Sequence, residues 1–211
     1  MARYLGPKCR LCRSEKRKLF LKGERCNSSK CPVAKKKNPP GKSVKSRISK
    51  MSDYGLQLRE KQKLKRTYCM LEKQFKLTFN EASRLSGKTG ENLIRLLETR
   101  LDNVVYRMKF ASSRNQARQL VSHGHILVNG KKVNIPSYML RQDDVIEIRE
   151  KSRKNVAIKE SLKEYTKSGV SPWLEVNPDE LKGILKAVPL RSEVTDLADI
   201  NEQLIVELYS R

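Results

Sequence analysis

Positive charge is concentrated at one end of this chain, and this asymmetry constrains what the chain can bind more than any other feature of the sequence. Residues 1–50 carry 17 lysines and arginines against 2 acids, whereas residues 151–211 carry 10 of each. The whole chain has a formal net charge of +23. Because like charges repel one another when a chain compacts, an excess of this size indicates a polyanionic partner. We therefore predict that the N-terminal end binds nucleic acid.

The composition argues against several other classes of protein. No apolar run approaches the roughly 20 residues that a membrane-spanning helix needs, so we expect no contact with a membrane. The N-terminus lacks the apolar stretch of a secretory signal peptide, so we expect the five cysteines to be reduced thiols or metal ligands. Aromatic residues make up only 6% of the chain. This low fraction favours recognition of the backbone and shape of a folded nucleic acid over stacking on splayed bases.

Two close pairs of cysteines lie within the basic end of the chain. Cys9 and Cys12 are separated by two residues, and Cys26 and Cys31 by four. Pairs with this spacing can direct both thiolates toward one ion, and two such pairs complete a tetrahedral shell with no open position. The pattern therefore predicts one structural zinc ion. The same four ligands also suit an iron–sulfur cluster, and two disulfides are a third interpretation.

A basic segment that contains prolines follows the cysteines. Within residues 32–50, the adjacent Pro39 and Pro40 prevent a continuous helix and stiffen the chain. Lysines and arginines occur throughout the segment. We therefore predict an extended arm that contacts phosphates, with a plain linker as the alternative interpretation.

A long helical pattern begins at Ser52 and includes Cys69. On a regular α-helix, Arg59, Lys63 and Arg66 fall close together on one side. The opposite side is apolar and comprises Leu64, Tyr68, Leu71 and Phe75. The pattern predicts a helix that packs through one face and presents three cations to phosphates on the other.

The middle of the chain reads as a small α+β module. After an apolar stripe at helical spacing, Ser113 and Gln116 have the spacing of a capping box and open a short second helix. Two short predicted strands, at residues 126–128 and 133–135, flank Asn129 and Gly130, a dipeptide that is the strongest short signal for a β-hairpin. Residues 145–149 have the pattern of a third strand.

Three blocks of the sequence resemble a known family. They are YGLQLREKQKLKR at residues 54–66, RLDNVVYRMKFASSRNQARQLVSHGHILVNGKKVNIPSY at residues 100–138, and LIVELYSR at residues 204–211. In this order they are similar to the bacterial-type small ribosomal subunit protein four, over essentially the whole chain. The paired cysteines resemble the metal-binding, four-cysteine version of that family.

Together with the patterns above, the resemblance implies an α+β fold. The fold comprises a mainly helical N-terminal domain with a four-cysteine metal knuckle, plus a small α+β RNA-binding module with a hairpin and a short sheet. We place the knuckle and the basic arm in residues 1–50, and the helical domain in residues 51–99, rejoined by residues 197–211. The RNA-binding module occupies residues 100–161, and a turn-rich extension occupies residues 162–196. The C-terminal residues 204–209 are expected to form a buried strand or a short helix.

The resemblance also implies a function without catalysis. A protein of this family is a structural constituent of the small ribosomal subunit that binds the 5′ domain of its rRNA early, nucleates assembly of the subunit body and contributes to translational accuracy. The expected partners are small-subunit rRNA, ribosomal protein five of the small subunit and the region where mRNA enters, and no small-molecule substrate is expected. The expected location is the cytoplasmic ribosome, with an organellar ribosome as the alternative.

The candidate binding residues lie in these segments. The predicted metal ligands are Cys9, Cys12, Cys26 and Cys31. The arm, the first long helix, and the short helix and hairpin of the module correspond to the RNA-facing segments of the family. The candidate RNA contacts in them are Lys35, Lys36, Lys37, Lys42, Lys45, Arg47, Tyr54, Arg59, Lys63, Arg66, Arg114, Gln116, Arg118 and Lys131.

Two other functions fit parts of the pattern. The same module is appended to RNA-modifying enzymes such as pseudouridine synthases, but this chain has little room for a catalytic domain. Its two histidines, His123 and His125, are better explained as RNA contacts or packing residues. A DNA-binding zinc protein would need the ligand spacing that places a reading helix in the major groove, and this spacing differs. We therefore predict an RNA-binding protein that is not an enzyme.

Overall fold

The computed structural model describes residues 3–41, 50–163 and 169–210 of the chain. The chain forms two units, which are Met1–Leu93 together with Asp196–Arg211, and Ile94–Thr195. The last residues of the chain therefore fold with the first ones. Among the described residues, no helix is both long and apolar enough to span a bilayer.

The first unit is helical. Ser52 caps its longest helix, because the Ser52 side chain accepts a hydrogen bond from the backbone N–H of Gly55 at 3.2 Å. Asn92 closes the turn after another helix by donating to the carbonyl oxygens of Leu85 and Ser86 at 3.3 and 3.1 Å. The helices of this unit are α1 (Lys8–Ser14), α2 (Glu24–Asn27), α3 (Asp53–Thr67), α4 (Glu72–Arg84), the start of α5 (Thr89–Glu98) and α9 (Glu202–Tyr209).

The single long helix predicted from Ser52 is in fact two helices, α3 and α4. Between them Cys69 has a left-handed φ of 56°, and the backbone N–H of Met70 donates to the carbonyl oxygen of Lys65. This pattern is typical of a helix C-terminus. The prediction that Cys69 lies inside a helix is therefore wrong. Leu71, which was expected on the buried face, is 37% exposed.

Apolar contacts hold the C-terminal helix in the first unit. Leu64 of α3 and Phe75 of α4 are fully buried, and Ile205 of α9 is fully buried as well. The ring of Tyr209 lies 4.5 Å from the ring of Phe79, measured between centroids, and α9 packs against α3. Of the two structures expected for residues 204–209, a strand or a short helix, the chain forms the helix.

A cluster of polar groups holds the same helix. Glu72 accepts hydrogen bonds from Lys61 at 2.5 Å, from Lys65 at 2.7 Å and from the hydroxyl of Tyr209 at 3.0 Å. Partial burial pushes the pKa of Glu72 upward, but these three donors outweigh burial and hold the pKa at about 2, below its ordinary value of 4.5. Burial and the neighbouring carboxylate raise the pKa of Tyr209.

This cluster predicts a loss of stability in acid. A carboxyl group whose pKa is lowered by folding stabilises the fold above its unfolded pKa, and this contribution is lost as the pH falls from about 4.5 to about 2. The Glu72 side chain is 47% exposed, so solvent screening limits the contribution to about 1 kcal/mol. We expect Glu72→Gln to lower the free energy of unfolding by about 1 kcal/mol at neutral pH and by much less in strong acid, measured by urea denaturation. Glu81→Gln, at an exposed position on α4, is the control, and an equal loss for Glu72→Gln at both pH values would contradict the prediction.

The second unit combines helices with an antiparallel sheet. Its helices after α5 are α6 (Leu101–Arg107), α7 (Arg114–Ser122) and α8 (Val156–Lys163). The five strands found in the described residues have the order β2-β1-β3-β5-β4. They are β1 (Ile126–Val128), β2 (Lys131–Lys132), β3 (Val145–Ile148), β4 (Leu174–Asn177) and β5 (Lys182–Leu185). The predicted α+β class is confirmed.

The hairpin forms at the predicted dipeptide. Asn129 and Gly130 have φ values of 50° and 73°, as a two-residue type I′ loop requires. Val128 pairs directly with Lys131 across this loop. The second strand therefore consists of the two lysines that follow the turn. Residues 133–135, which were expected to form this strand, lie beyond it.

Two strands lie in the stretch that was predicted to be turn-rich. β5 pairs with β3 through Ile184 and Val145, and β4 pairs with β5. Gly183 in β5 is needed for close packing, since a Cβ there would lie 2.7 Å from the Sδ atom of Met108 and 3.1 Å from the carbonyl oxygen of Glu175. Strands of four residues between turn residues carry a weak signal in sequence, and for this reason the pattern missed them.

Candidate nucleic-acid interface

The four paired cysteines lie in the first unit, near α1 and α2. Cys12, Cys26 and Cys31 are buried, and Cys9 is partly buried. Burial raises the pKa of the Cys12 thiol, a hydrogen bond from the Leu19 backbone lowers it, and the other three paired cysteines raise it further. Burial likewise raises the pKa of Cys26, whose Sγ atom accepts the backbone N–H of Lys22 at 3.4 Å. The local fold therefore brings the other paired cysteines close enough to Cys12 to affect its pKa.

The described residues do not contain a preformed metal site. Among residues 3–41, 50–163 and 169–210, no group of three or more His, Cys, Asp or Glu side chains is arranged so that it could hold a metal ion. None of the five cysteines, all of which lie in the described residues, forms a disulfide. The predicted ligand set Cys9, Cys12, Cys26 and Cys31 therefore stays a prediction.

Exposed lysines follow directly after the last cysteine of the set. Lys35, Lys36 and Lys37 are all exposed. Backbone hydrogen bonds from Lys35 to Cys31 and from Lys37 to Pro32 fold this start of the arm into a turn. The other predicted contacts in the arm, Lys42, Lys45 and Arg47, lie outside the described residues.

The cations predicted on α3 are held by carboxylates of the same unit. Arg59 donates to the Oε1 atom of Glu15 at 3.3 Å, and Arg66 donates to the same oxygen and to the Ser14 hydroxyl, the latter at 2.7 Å. Lys63 forms an ion pair with Glu60. Burial raises the pKa of Glu15, and the neighbouring Arg66 and Arg59 oppose that rise.

This arrangement joins α3 to the cysteine segment. Because Glu15 directly follows α1, the ion pairs with Arg59 and Arg66 fix the basic face of α3 against the turn after Cys12. Tyr54, at the start of α3, is 56% exposed and is therefore accessible to a partner. Contact of Arg59, Lys63 and Arg66 with RNA stays a prediction, and in the free protein these side chains serve the fold.

The two arginines predicted on α7 lie in a buried network. Arg118 donates to Asp102 at 3.2 Å, and Arg114 donates to the Oδ1 atom of Asn103 at 2.7 Å. The Arg114 guanidinium also lies over the ring of Tyr106, 4.6 Å from its centroid. Arg114 and Arg118 are only 6% and 7% exposed. In the free protein both arginines therefore orient α7 against α6, and their contact with RNA stays a prediction.

The N-terminus of α7 is capped differently from the predicted capping box. Ser113 accepts the backbone N–H of Gln116 at 3.4 Å, as expected. The Gln116 side chain does not return to Ser113. Its Oε1 atom accepts the backbone N–H and the hydroxyl of Ser112, at 2.8 and 2.7 Å. Gln116 thus fixes the start of α7, and its contact with RNA stays a prediction.

Two lysines are exposed at the tip of the second unit. Lys131 and Lys132 form β2 directly after the hairpin loop. The Lys132 side chain lies against Gly124 at the end of α7, where a Cβ would come within 2.1 Å of its Cε atom. Lys132 was missing from the predicted contacts, although its place beside Lys131 in the sequence was a sufficient signal. The stacked rings of His123 and His125 lie at the same end of α7, and His125 contacts Ser152 at 2.8 Å.

Comparison with known proteins connects both units to one family. A family model described as "Ribosomal protein S4/S9 N-terminal domain" matches residues 3–98, and one described as "S4 domain" matches residues 99–146. The chain is 56% identical over 211 residues to the small ribosomal subunit proteins uS4 of Citrifermentans bemidjiense and Geobacter sulfurreducens, with 100% of each chain covered. The chain belongs to the uS4 family. The recognised resemblance to the bacterial-type ribosomal protein is therefore confirmed, whereas its metal-binding version is not shown.

Membership of the uS4 family confirms the main functional predictions. The protein is a structural constituent of the small ribosomal subunit that binds rRNA, and it is not an enzyme. The predicted location in the cytoplasmic ribosome follows from the same membership. Family membership does not identify the individual RNA contacts, the metal or the protein partners.

Proposed function

We propose that this uS4 protein binds a junction of several helices in the 5′ domain of small-subunit rRNA and thereby nucleates assembly of the subunit body. The observation that carries this proposal is that exposed cations lie on or beside tight turns in both units. In the first unit these are the lysines after Cys31, and in the second they are Lys131 and Lys132 beside a two-residue loop. Cations on a pre-shaped surface can hold folded RNA without a large ordering cost.

The proposal includes protein and mRNA neighbours within the finished subunit. We infer contacts with ribosomal protein five of the small subunit and a position near the region where mRNA enters, through which the protein would contribute to translational accuracy. The support is that the similarity to uS4 proteins covers 100% of this chain and 100% of each related chain.

Footprinting of naked small-subunit rRNA tests the proposed binding site. The purified protein should protect several helices of the 5′ domain at once and leave the other domains unprotected. An excess of duplex DNA at the same salt concentration should not remove this protection, since the surface is expected to recognise folded RNA. Protection that is spread evenly over the rRNA, or that is removed by duplex DNA, would refute a specific site.

We further propose that Cys9, Cys12, Cys26 and Cys31 bind one structural zinc ion, with an iron–sulfur cluster as the alternative group. Three of the four residues are buried, and electrostatic interaction with the other three contributes to the pKa of Cys12. Backbone N–H groups of Leu19 and Lys22 face the sulfurs of Cys12 and Cys26. Thiolates that accept such hydrogen bonds suit a closed, four-thiolate shell, which would fix the turns of this segment.

Loss of one of these cysteines should loosen the N-terminal segment. We expect Cys26→Ser to abolish the bound metal, to increase proteolysis within residues 3–41 and to weaken rRNA binding, because metal binding and folding are coupled at such sites. Elemental analysis and limited proteolysis measure the first two effects. Cys69→Ser is the matched control and should retain the metal. A native protein that contains neither zinc nor iron would refute the metal proposal, and a colourless protein would exclude the iron–sulfur cluster.

A further inference from the structure

A cationic cleft lies in the first unit. It combines Lys36 and Lys37, two of the RNA contacts predicted in the arm, with Arg13 and Lys16, which were not among the predicted contacts. Its volume is about 260 Å³. Four of the described residues that line the cleft are cationic, and no acidic residue is among the described residues that line it. The four are Arg13, Lys16, Lys36 and Lys37. Such a cleft focuses a positive potential on whatever occupies it.

Two turns of the same type build the cleft. After α1, the backbone N–H of Lys16 donates to the carbonyl oxygen of Arg13 at 3.2 Å. The backbone N–H of Arg17 donates to the carbonyl oxygen of Cys12 at 3.1 Å. This pair of bonds is the Schellman motif, which places Lys16 in the left-handed region with φ of 54°.

The second turn repeats this pattern after Cys31. The backbone N–H of Lys36 donates to the carbonyl oxygen of Val33, and the backbone N–H of Lys37 donates to the carbonyl oxygen of Pro32, both at 3.0 Å. Lys36 has a φ of 49°. Glycine is the usual residue at such a position because an L side chain there costs free energy. Both turns thus carry a lysine where the backbone favours glycine.

A direct contact joins the two turns across the cleft. The Nη1 atom of Arg13 donates to the carbonyl oxygen of Asn38 at 2.9 Å. This bond links α1, which precedes the turn that carries Lys16, to Asn38, which follows the turn that carries Lys36 and Lys37. The four cations are therefore assembled before any ligand binds, although their mutual repulsion opposes this arrangement.

We propose that this cleft binds phosphate groups of the rRNA backbone, an inference that rests on the rRNA binding proposed above. Neighbouring phosphates of one strand can neutralise cations that lie on two adjacent turns, and the groups that contact a backbone need not read bases. Positions 16 and 36 are occupied by lysine because its charge binds the partner. The left-handed backbone at both positions would favour glycine.

Glycine substitutions separate the two roles of these lysines. The double variant Lys16→Gly with Lys36→Gly removes two charges and relieves two left-handed side chains, so its thermal midpoint should equal or exceed that of the native chain. Its affinity for the 5′-domain rRNA should fall at least about tenfold, and the slope of log affinity against log salt should decrease by roughly 1 for each lysine.

Lys109→Gly is the matched control. Lys109 also has a left-handed φ, 62°, in the turn after α6, and it does not line the cleft. This variant should change the affinity and the slope clearly less than the double variant. If the two variants weaken binding equally per lysine, general loss of charge is the cause and the cleft proposal fails.

Two further outcomes distinguish the cleft from the proposed function. Failure of the native chain to protect the 5′ domain would refute the proposed function itself, whereas native protection combined with undiminished binding by the double variant would refute the cleft alone. Acylation of lysines then identifies the source of the phosphate. RNA should protect Lys16 and Lys36, and protection by inorganic pyrophosphate but not by RNA would overturn the assignment to rRNA.

Discussion

The affinity of this protein for 5′-domain rRNA is expected to fall by about 10³–10⁵-fold when the salt concentration rises from about 50 to about 200 mM. A protein that neutralises roughly six to ten phosphates releases a similar number of condensed counterions, and added salt opposes that release. On the turns after α1 and Cys31 and in β2, the described residues offer six exposed lysines, which is the lower end of this range. They are Lys16, Lys35, Lys36, Lys37, Lys131 and Lys132. The net charge of +23 adds long-range attraction.

A filter-binding titration at several salt concentrations measures this slope. The thermal midpoint of the protein, recorded over the same range, is the control that separates weaker binding from unfolding. An affinity that hardly changes with salt would show that base contacts or apolar contacts dominate, and clamping of phosphates by cations would then be wrong.

Replacement of Asp102 by alanine is expected to cost about 3–5 kcal/mol in the free energy of unfolding. Asp102 is 5% exposed and accepts hydrogen bonds from Arg100, at 3.3 Å, and from Arg118, at 3.2 Å. Both arginines are less than one-tenth exposed. Without the carboxylate, two buried cations lose their counter-charge, and this loss is far more costly than loss of an exposed ion pair.

Urea denaturation followed by tryptophan fluorescence measures this effect. The chain has one tryptophan, Trp173, which is buried in the same unit as Asp102. Glu160→Ala, at an exposed position on α8, is the control and should change stability by no more than about 0.5 kcal/mol. If Asp102→Ala were equally mild, the arginines would have to reach solvent, and they would then be available for RNA in the free protein.

Local chemistry explains which features of the fold could be predicted from sequence. The loop at Asn129 and Gly130, the cap at Ser52 and the start of α7 at Ser113 each depend on a few neighbouring residues, and the structure contains all three. The break between α3 and α4 was missed because Cys69 occupies the left-handed position that glycine usually marks. A cysteine at such a position gives no warning in the sequence.

Long-range pairing explains what could not be predicted about the candidate interface. Sequence pattern identified Arg66 and Arg118 as cations on helix faces, but their partners, Glu15 and Asp102, are 51 and 16 positions away. Helical periodicity contains no information on such partners. For the same reason Arg13 and Lys16 were not grouped with Lys36 and Lys37, because only the folded turns bring them to one cleft.

The path of the chain has a consequence for the order in which the protein can fold during synthesis. Residues 94–195 form one uninterrupted segment, so their unit needs no residue from either end of the chain to complete its core. The unit that begins at the N-terminus lacks α9 until the final residues emerge, and Ile205 and Tyr209 are therefore the last parts of its core to arrive. A free chain truncated after residue 195 should consequently carry a finished sheet and an open helical unit.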